Sequence, residues 1–309
     1  MKVLALILPA WTFMAALLTG CGGHRESTVI VYCAQDQVFA EPLLAEFTRQ
    51  TGVKARAVFD SEAVKTVGLA NRLLAEKDHP QCDVFWGNEE LRTRQLAAQG
   101  VFRATNGFTT FGFRSRRIVI NTNKVSLAEA PRTLAELTNA TWRGKVALAY
   151  PMFGTTATHF LALRQRWGDT AWQAWCRALQ VNKPFLVDGN SVVVKLVGQG
   201  EAWVGLTDSD DIAGGIREGL PLAAMPVTPE TLLIPNTVAV VQGAPHAAEA
   251  ERLSQFLQRP ELAERLVKEA ALEGTQTGQP QGLQVDWEAL LRDLDAGTAT
   301  MRDIFLRRE

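Results

Sequence analysis

The sequence predicts an α/β protein built from two sheet-and-helix units, and three observations carry that prediction. Strand-like and helix-like segments alternate from Thr28 to Gly100. A second series of the same kind follows Phe108, and a late apolar β-branched strand, 236–241, returns toward the first unit. Strands alternating with helices imply parallel sheets covered on both faces.

The elements follow in order. Residues 28–32 are a β-branched run with no polar interruption after Thr28, which reads as a buried strand. Residues 41–51 place Leu43, Leu44 and Phe47 at helical spacing and stop at Gly52. A second strand spans 53–59, a longer helix 62–77, a short strand 83–86, and a third helix 89–99 ending at Gly100. After Phe108, strands are expected at 117–121, 146–149 and 203–206, with helices at 156–167, 170–179 and 191–198. Helices at 246–257, 260–270 and 287–305 follow the returning strand. Trp167, Trp172 and Trp175 lie at helical spacings and are expected in the core rather than in a ligand cage. Chain passing twice between two units leaves a cleft at the strand ends, where open α/β sheets bind ligands.

The N-terminus sets the compartment. Met1-Lys2 is a short basic start, and 3–18 is almost wholly apolar before Leu18-Thr-Gly-Cys21. A short apolar run ending in small residues reads as a secretory signal rather than a membrane span. The cysteine after Leu-Thr-Gly resembles the bacterial lipobox, which implies a signal peptide over 1–21 and a lipid on the Cys21 thiol. An uncleaved N-terminal anchor is the other reading, and both leave the rest of the chain outside the cytoplasm and tethered to a membrane. No later stretch approaches the roughly 20 apolar residues of a transmembrane helix. The net charge of −1 gives no basis for nucleic-acid binding. Cys33, Cys82 and Cys176 are expected as free, buried thiols, because parallel strands would hold the first two too far apart to bridge. No Ser-His-Asp, Cys-His or Gly-x-Ser-x-Gly arrangement supports hydrolysis, so no enzyme is expected.

A set of motifs occurs in order along the chain: Val31-Tyr32, FTRQTG at 47–52, PQCDVFW at 80–86, WRGKV at 142–146 and Gly200-Glu201-Ala202. Together they resemble the periplasmic ferric-iron-binding proteins of ABC transporters, within the family-1 extracellular solute-binding proteins. The resemblance implies the two-lobed, hinge-closing periplasmic binding protein fold, each lobe a sheet flanked by helices. It places one lobe at 28–112 and 236–275 and the other at 113–235 and 276–309. It also implies an inner-membrane permease and its ATPase as partners, and Fe(III) with a synergistic anion as cargo. No resident cofactor is expected. In the family a pair of adjacent tyrosines, a histidine near the first strand and a glutamate after the third hold the iron. This chain has only two tyrosines, Tyr32 and Tyr150. Asp210 and Asp211 stand at the tyrosine positions and Asp36 at the histidine's. Glu89 matches the glutamate, with Asn88 as the alternative one residue away.

The residues themselves suggest an acidic wall. Asp208, Asp210 and Asp211 share one turn, and adjacent carboxylates repel unless a cation offsets them. A hard metal ion at Asp210, Asp211 and Glu89, or an ammonium group, suits them equally. Asp36, Glu62 and Glu89 follow the first three strands, and Trp86 is a candidate cleft wall. Thr155 and Thr156 in Phe153-Gly-Thr-Thr, and Asn190 and Ser191 after Asp188-Gly, open helices and offer N–H and hydroxyl groups to an anion. The expectation is therefore a receptor for ferric iron, free or chelated. The alternative is a receptor for an aminoalkylphosphonate, a polyamine or another amine-bearing solute.

Overall fold

In the computed structural model the described residues are 27–59, 65–104, 107–275 and 281–306. The signal-peptide and lipobox reading of 1–21, Cys21 with it, and the assignment of Glu62 to the cleft lie outside them. The first α/β series gives β1 (Thr28–Cys33), α1 (Gln37–Thr51), β2 (Lys54–Val58), α2 (Lys65–Ala75), β3 (Val84–Gly87) and α3 (Glu90–Ala98). Strand period two is visible in the core: Val29, Val31 and Cys33 pack on one face of the sheet, Ile30 and Tyr32 on the other. Both faces are covered, so β1 reads as an unbroken apolar run.

β4 (Thr109–Asn121) leads out of this half. The second half comprises β5 (Val146–Ala149), α4 (Gly154–Trp167), α5 (Asp169–Val181), β6 (Phe185–Val187), α6 (Asn190–Gln199), β7 (Val204–Asp208), α7 (Ser209–Arg217) and β8 (Leu222–Ala224). β9 (Leu233–Val240) returns, followed by α8 (Ala247–Leu257), α9 (Pro260–Lys268) and α10 (Trp287–Leu306). The strand order is β2-β1-β3-β9-β4-β7-β5-β6, with β8 on β4. β1 is parallel to β2 and β3, and β5 is parallel to β6 and β7. The expected parallel sheet is corrected at its centre, where β4 and β9 run antiparallel to every partner. They are the two strands that pass between the halves, one outward and one back, so opposed directions are built in.

β4 is also much longer than the 117–121 predicted. Its middle holds the consecutive polar residues Arg114, Ser115, Arg116 and Arg117, a run that signals a solvated segment, yet the first three are buried. β6, α7 and β8 were not predicted. The second half has its core around Phe160, Trp172 and Trp175 on one face of its sheet, with Val119, Val193 and Val197 on the other. Trp172 and Trp175 are buried as expected, and Trp167 packs edge-on against Trp175 with ring centroids 5.3 Å apart. Full burial of side chains this size contributes roughly 1.5–3 kcal/mol each. α10 sits over this core but also touches the first half, where Arg94 of α3 meets Glu288 at 3.2 Å. Cys33, Cys82 and Cys176 are free and buried.

The junction of β3, β9 and α3 lies directly behind the strand ends and is tightly filled. Thr93 and Thr237 hydroxyls meet at 2.8 Å, and a Cβ on Gly87 would press on the Thr237 hydroxyl and lie 2.8 Å from that of Thr93, both closer than packing allows. Gly87→Ala is expected to destabilise the fold by about 1–3 kcal/mol, read as a lower urea midpoint with an unchanged slope.

Candidate functional site

The site begins with the register of two strands. Arg116 on β4 lies directly opposite Asp208 on β7, so their side chains project from the same face of the sheet. Arg116 Nη1 donates to Asp208 Oδ1 at 2.7 Å and to Asn190 Oδ1 at 2.7 Å, and its Nη2 donates to the Leu206 carbonyl at 3.0 Å. Arg114, two residues earlier on the same face, donates from Nη1 to Asp210 Oδ2. Its Nη2 reaches the Asn88 carbonyl at 3.0 Å and Asp208 at 3.3 Å. The Thr155 hydroxyl completes the group at 2.9 Å from Asp208 Oδ2. Both arginines and both aspartates are almost wholly excluded from solvent.

Two guanidiniums and two carboxylates therefore balance each other in a dry interior. Burial alone would strip charge from Arg114, but Asp210 and Asp208 more than offset it and hold the side chain cationic. Burial pushes Asp208 up, yet Arg114 and Arg116 together pull it below the usual carboxylate range. Asp210 keeps only one arginine. Burial raises it to about 6, with Arg114 opposing and the neighbouring charges of Asp208 and Asp36 assisting. The cation that makes two adjacent carboxylates tolerable is thus supplied by the chain. Sequence reasoning missed both arginines. The available signal was continuation of the apolar strand backward, which puts Arg114 and Arg116 on the same face as Ile118 and Ile120.

The structure redistributes the residues singled out from sequence. Glu89 is buried and caps α3, accepting from the backbone N–H of Leu91 at 2.8 Å and of Arg92 at 3.1 Å, with the Thr158 hydroxyl at 3.3 Å. Both of its oxygens accept hydrogen bonds, so in this structure Glu89 serves as a helix cap. Trp86 is fully buried against Phe111 and belongs to the first core, not to a cleft wall. Thr155 and Asn190 are spent on Arg116 and Asp208 rather than held open for an anion, so a protein carboxylate occupies the place expected for one. Thr156 is buried in the first turn of α4. The Asn88 carbonyl serves Arg114, and its side chain is largely buried.

Asp36, Ser191, Asp210 and Asp211 do come together, on the wall of a solvent-open cavity of about 690 Å³ between the start of α1 and helices α6 and α7. That volume lies within the range of small-molecule sites. One ligand oxygen each of Asp208, Asp210 and Asp211 lie within 4.8 Å of one another. Asp210 Oδ1 is buried and has no hydrogen-bond partner among the described residues. Lys195 and Arg217 line the same cavity and give it both signs of charge.

A mixed sheet crossed by two strands, with an open cavity at the strand ends, defines a solute-binding architecture. The family profile of bacterial extracellular solute-binding proteins matches residues 29–269, and the chain belongs to that family. It is 29% identical over 214 residues to the Fe(3+)-binding periplasmic protein of Serratia marcescens. It is 23% identical over 210 residues to the major ferric iron-binding protein of Neisseria meningitidis. Each match covers 62% of this chain and only 61% of the relative's length. Among solved structures, iron-bound HitA from Pseudomonas aeruginosa superposes with a TM-score of 0.79 at 18% identity, covering 91% of this chain and all of that one. AfuA from Actinobacillus pleuropneumoniae, with fructose-6-phosphate bound, gives 0.77 at 19%, with the same coverage. The fold is that of the two-lobed periplasmic binding proteins, and the family is one that binds solutes rather than transforming them. Among the described residues no helix is long and apolar enough to cross a membrane.

Breaking the buried pair has a definite cost. Arg116→Met leaves Asp208 with less compensation and is expected to lose about 3–5 kcal/mol in urea unfolding. His159 offers a pH test. It is buried, its Nε2 donates to the Glu230 carbonyl at 2.7 Å, and burial with nearby Arg116 lowers its pKa from 6.5 to about 3. A depressed folded-state pKa gives stability that is full above 6.5 and is lost as pH falls toward 3. His159→Gln is expected to flatten that acid slope in unfolding measured between pH 7 and 3.

Proposed function

We propose that this chain is the solute receptor of a bacterial ABC importer, tethered outside the cytoplasmic membrane by a lipid on Cys21. Its cargo is ferric iron, free or chelated, passed to an inner-membrane permease and its ATPase. The observation that carries the reading is Asp210 Oδ1, a buried acceptor without a partner on the wall of the cavity. A buried carboxylate oxygen left unpaired is costly, and a cation arriving there removes the cost. Asp211 and Asp36 flank it on the same wall, and oxygen donors suit a hard ion. The names of the relatives support iron. Because the arginines already balance Asp208 and Asp210, trivalent iron needs an accompanying anion, which Lys195 and Arg217 are placed to face.

The lobes proposed are 28–112 with 236–275, and 113–235 with 276–309, turning about β4 and β9. Closure on the ligand is a population shift, set by the ligand's greater affinity for the closed state. A second reading, an amine-bearing solute such as an aminoalkylphosphonate or polyamine, is favoured by one feature. Arg114 takes Asp210 Oδ2 and leaves Oδ1 unpartnered, and one ammonium N–H satisfies it.

Thermal-shift titration of residues 22–309 separates the two readings. Ferric citrate at 100 times its dissociation constant is expected to add about 2.7 kcal/mol of stability. The double substitution Asp210→Asn with Asp211→Asn is expected to abolish that shift without unfolding the protein. No shift with iron and a clear one with aminoethylphosphonate or spermidine replaces the first reading with the second.

A further inference from the structure

Arg217 is the last residue of α7, the helix whose first turn carries Asp210 and Asp211. α7 packs on the second half of the molecule through Ile212, which sits with Val119 and Val193. The Arg217 side chain leaves that half. Its Nη1 donates to the main-chain carbonyl of Glu269 at 2.5 Å, and its guanidinium lies 5.6 Å from the ring centroid of Phe39. Both partners belong to the first half: Phe39 is in α1, and Glu269 caps α9, whose Leu262 and Leu266 pack in the β1 core.

The chemistry suits a tie made and broken repeatedly. The last carbonyls of a helix have no partner in their own helix and lie at its negative end, so α9 presents a fixed acceptor to a cation. The ring face of Phe39 adds a second attraction of a different kind. The residue after Glu269, Ala270, is held at φ 58°, a left-handed turn that alanine disfavours, so local strain is accepted where the guanidinium docks. Arg217 also lines the 690 Å³ cavity, so one side chain touches the ligand space and both of its walls.

We infer that Arg217 is a positioning residue that ties α7 to α1 and α9 across the cavity, coupling what lies against Asp210 and Asp211 to closure of the cleft. The inference rests on the reading of the chain as a closing receptor, but not on its cargo. The tie acts at the cavity mouth, whereas the Arg114 contacts with Asn88 and Asp210 lie buried at the crossing strands.

Nitroxide labels on exposed positions of α1 and α5 report closure in the ligand-free protein by double electron–electron resonance. Arg217→Ala is expected to move the distance distribution outward, raising the open-to-closed ratio roughly tenfold, as loss of a hydrogen bond from a charged group predicts. Arg217→Lys restores part of the shift by keeping the charge, and Phe39→Leu produces a smaller opening by removing only the ring. Because Arg217 is exposed, unfolding midpoints of its two variants stay at the wild-type value, whereas Phe39→Leu lies in the first core and lowers its midpoint modestly. A distribution for Arg217→Ala that overlays wild type overturns the inference, as does a Lys variant as open as the Ala variant. Titrating ferric citrate or aminoethylphosphonate into labelled wild type reports on the cargo independently, because the tie is read with no ligand present.

Discussion

The pairing of Arg116 with Asp208 across β4 and β7 is the constraint on which the rest of the site depends. Both groups are buried, and desolvating either alone costs several kcal/mol. The antiparallel register sets them opposite each other, and the Nη groups of Arg116 also donate to Asn190, Thr155 and the Leu206 carbonyl. One guanidinium thereby fixes the ends of β5, β6 and β7 relative to β4. The helices that begin at those ends, α4, α6 and α7, are located by the same atom group. A shift of β4 by one residue would turn Arg116 to the opposite face and leave Asp208 without this partner.

This arrangement divides the acidic turn into parts with different chemistry. Asp208 is consumed, and its hydrogen bonds hold it ionised inside the protein. Asp210 is half consumed, since Arg114 takes one oxygen and the other is buried without a hydrogen-bond partner among the described residues. Asp211, half-buried, lies on the cavity wall. A graded set of this kind keeps one buried carboxylate oriented while leaving an oxygen available, which is what preorganised binding of a positive group requires. Three neighbouring acids in sequence thus reduce to one unpartnered oxygen and its flanking charges.

Elements carried by apolar period were legible from the residues. β1, β3, β5, α4 and α5 follow from β-branched runs or helical spacing, because burial of apolar surface decides both pattern and structure. Elements carried by buried charge were not. The first part of β4 looked polar because the groups that neutralise Arg114 and Arg116 come from Asp208 and Asp210, nearly a hundred residues later. α7 was read as an acidic turn, since Ser209, Asp210 and Asp211 favour caps and loops as much as a first helical turn. Glu89 was placed correctly at a strand end, but its competing use as a helix cap won, as short-range hydrogen bonds to Leu91 and Arg92 cost little entropy. Trp86 failed for a simpler reason: β3 is covered on both faces, so a residue at its end has no open side.

The crossing strands bear on how a site of this stiffness coexists with the closure proposed above. β4 and β9 form most of the covalent continuity between the halves, and their ladder is interrupted where pairing shifts between Thr110 and Phe113. Bending concentrates where ladder bonds are missing, just before Arg114. On the far side of that point the arginines lock β4 to β7, so in the proposed closure the second half turns with Asp208 and Asp210 as one piece. On the near side, Gln35 and Asn236 join the end of β1 to β9 at 2.7 Å, and the first half is held likewise. The contacts that the proposed closure would change are the Arg114 hydrogen bond to the Asn88 carbonyl and the one from Arg217 to Glu269, charged hydrogen bonds rather than a core. Because each is worth on the order of 1.5–3 kcal/mol, a ligand supplying one comparable interaction at Asp210 has enough energy to move the balance.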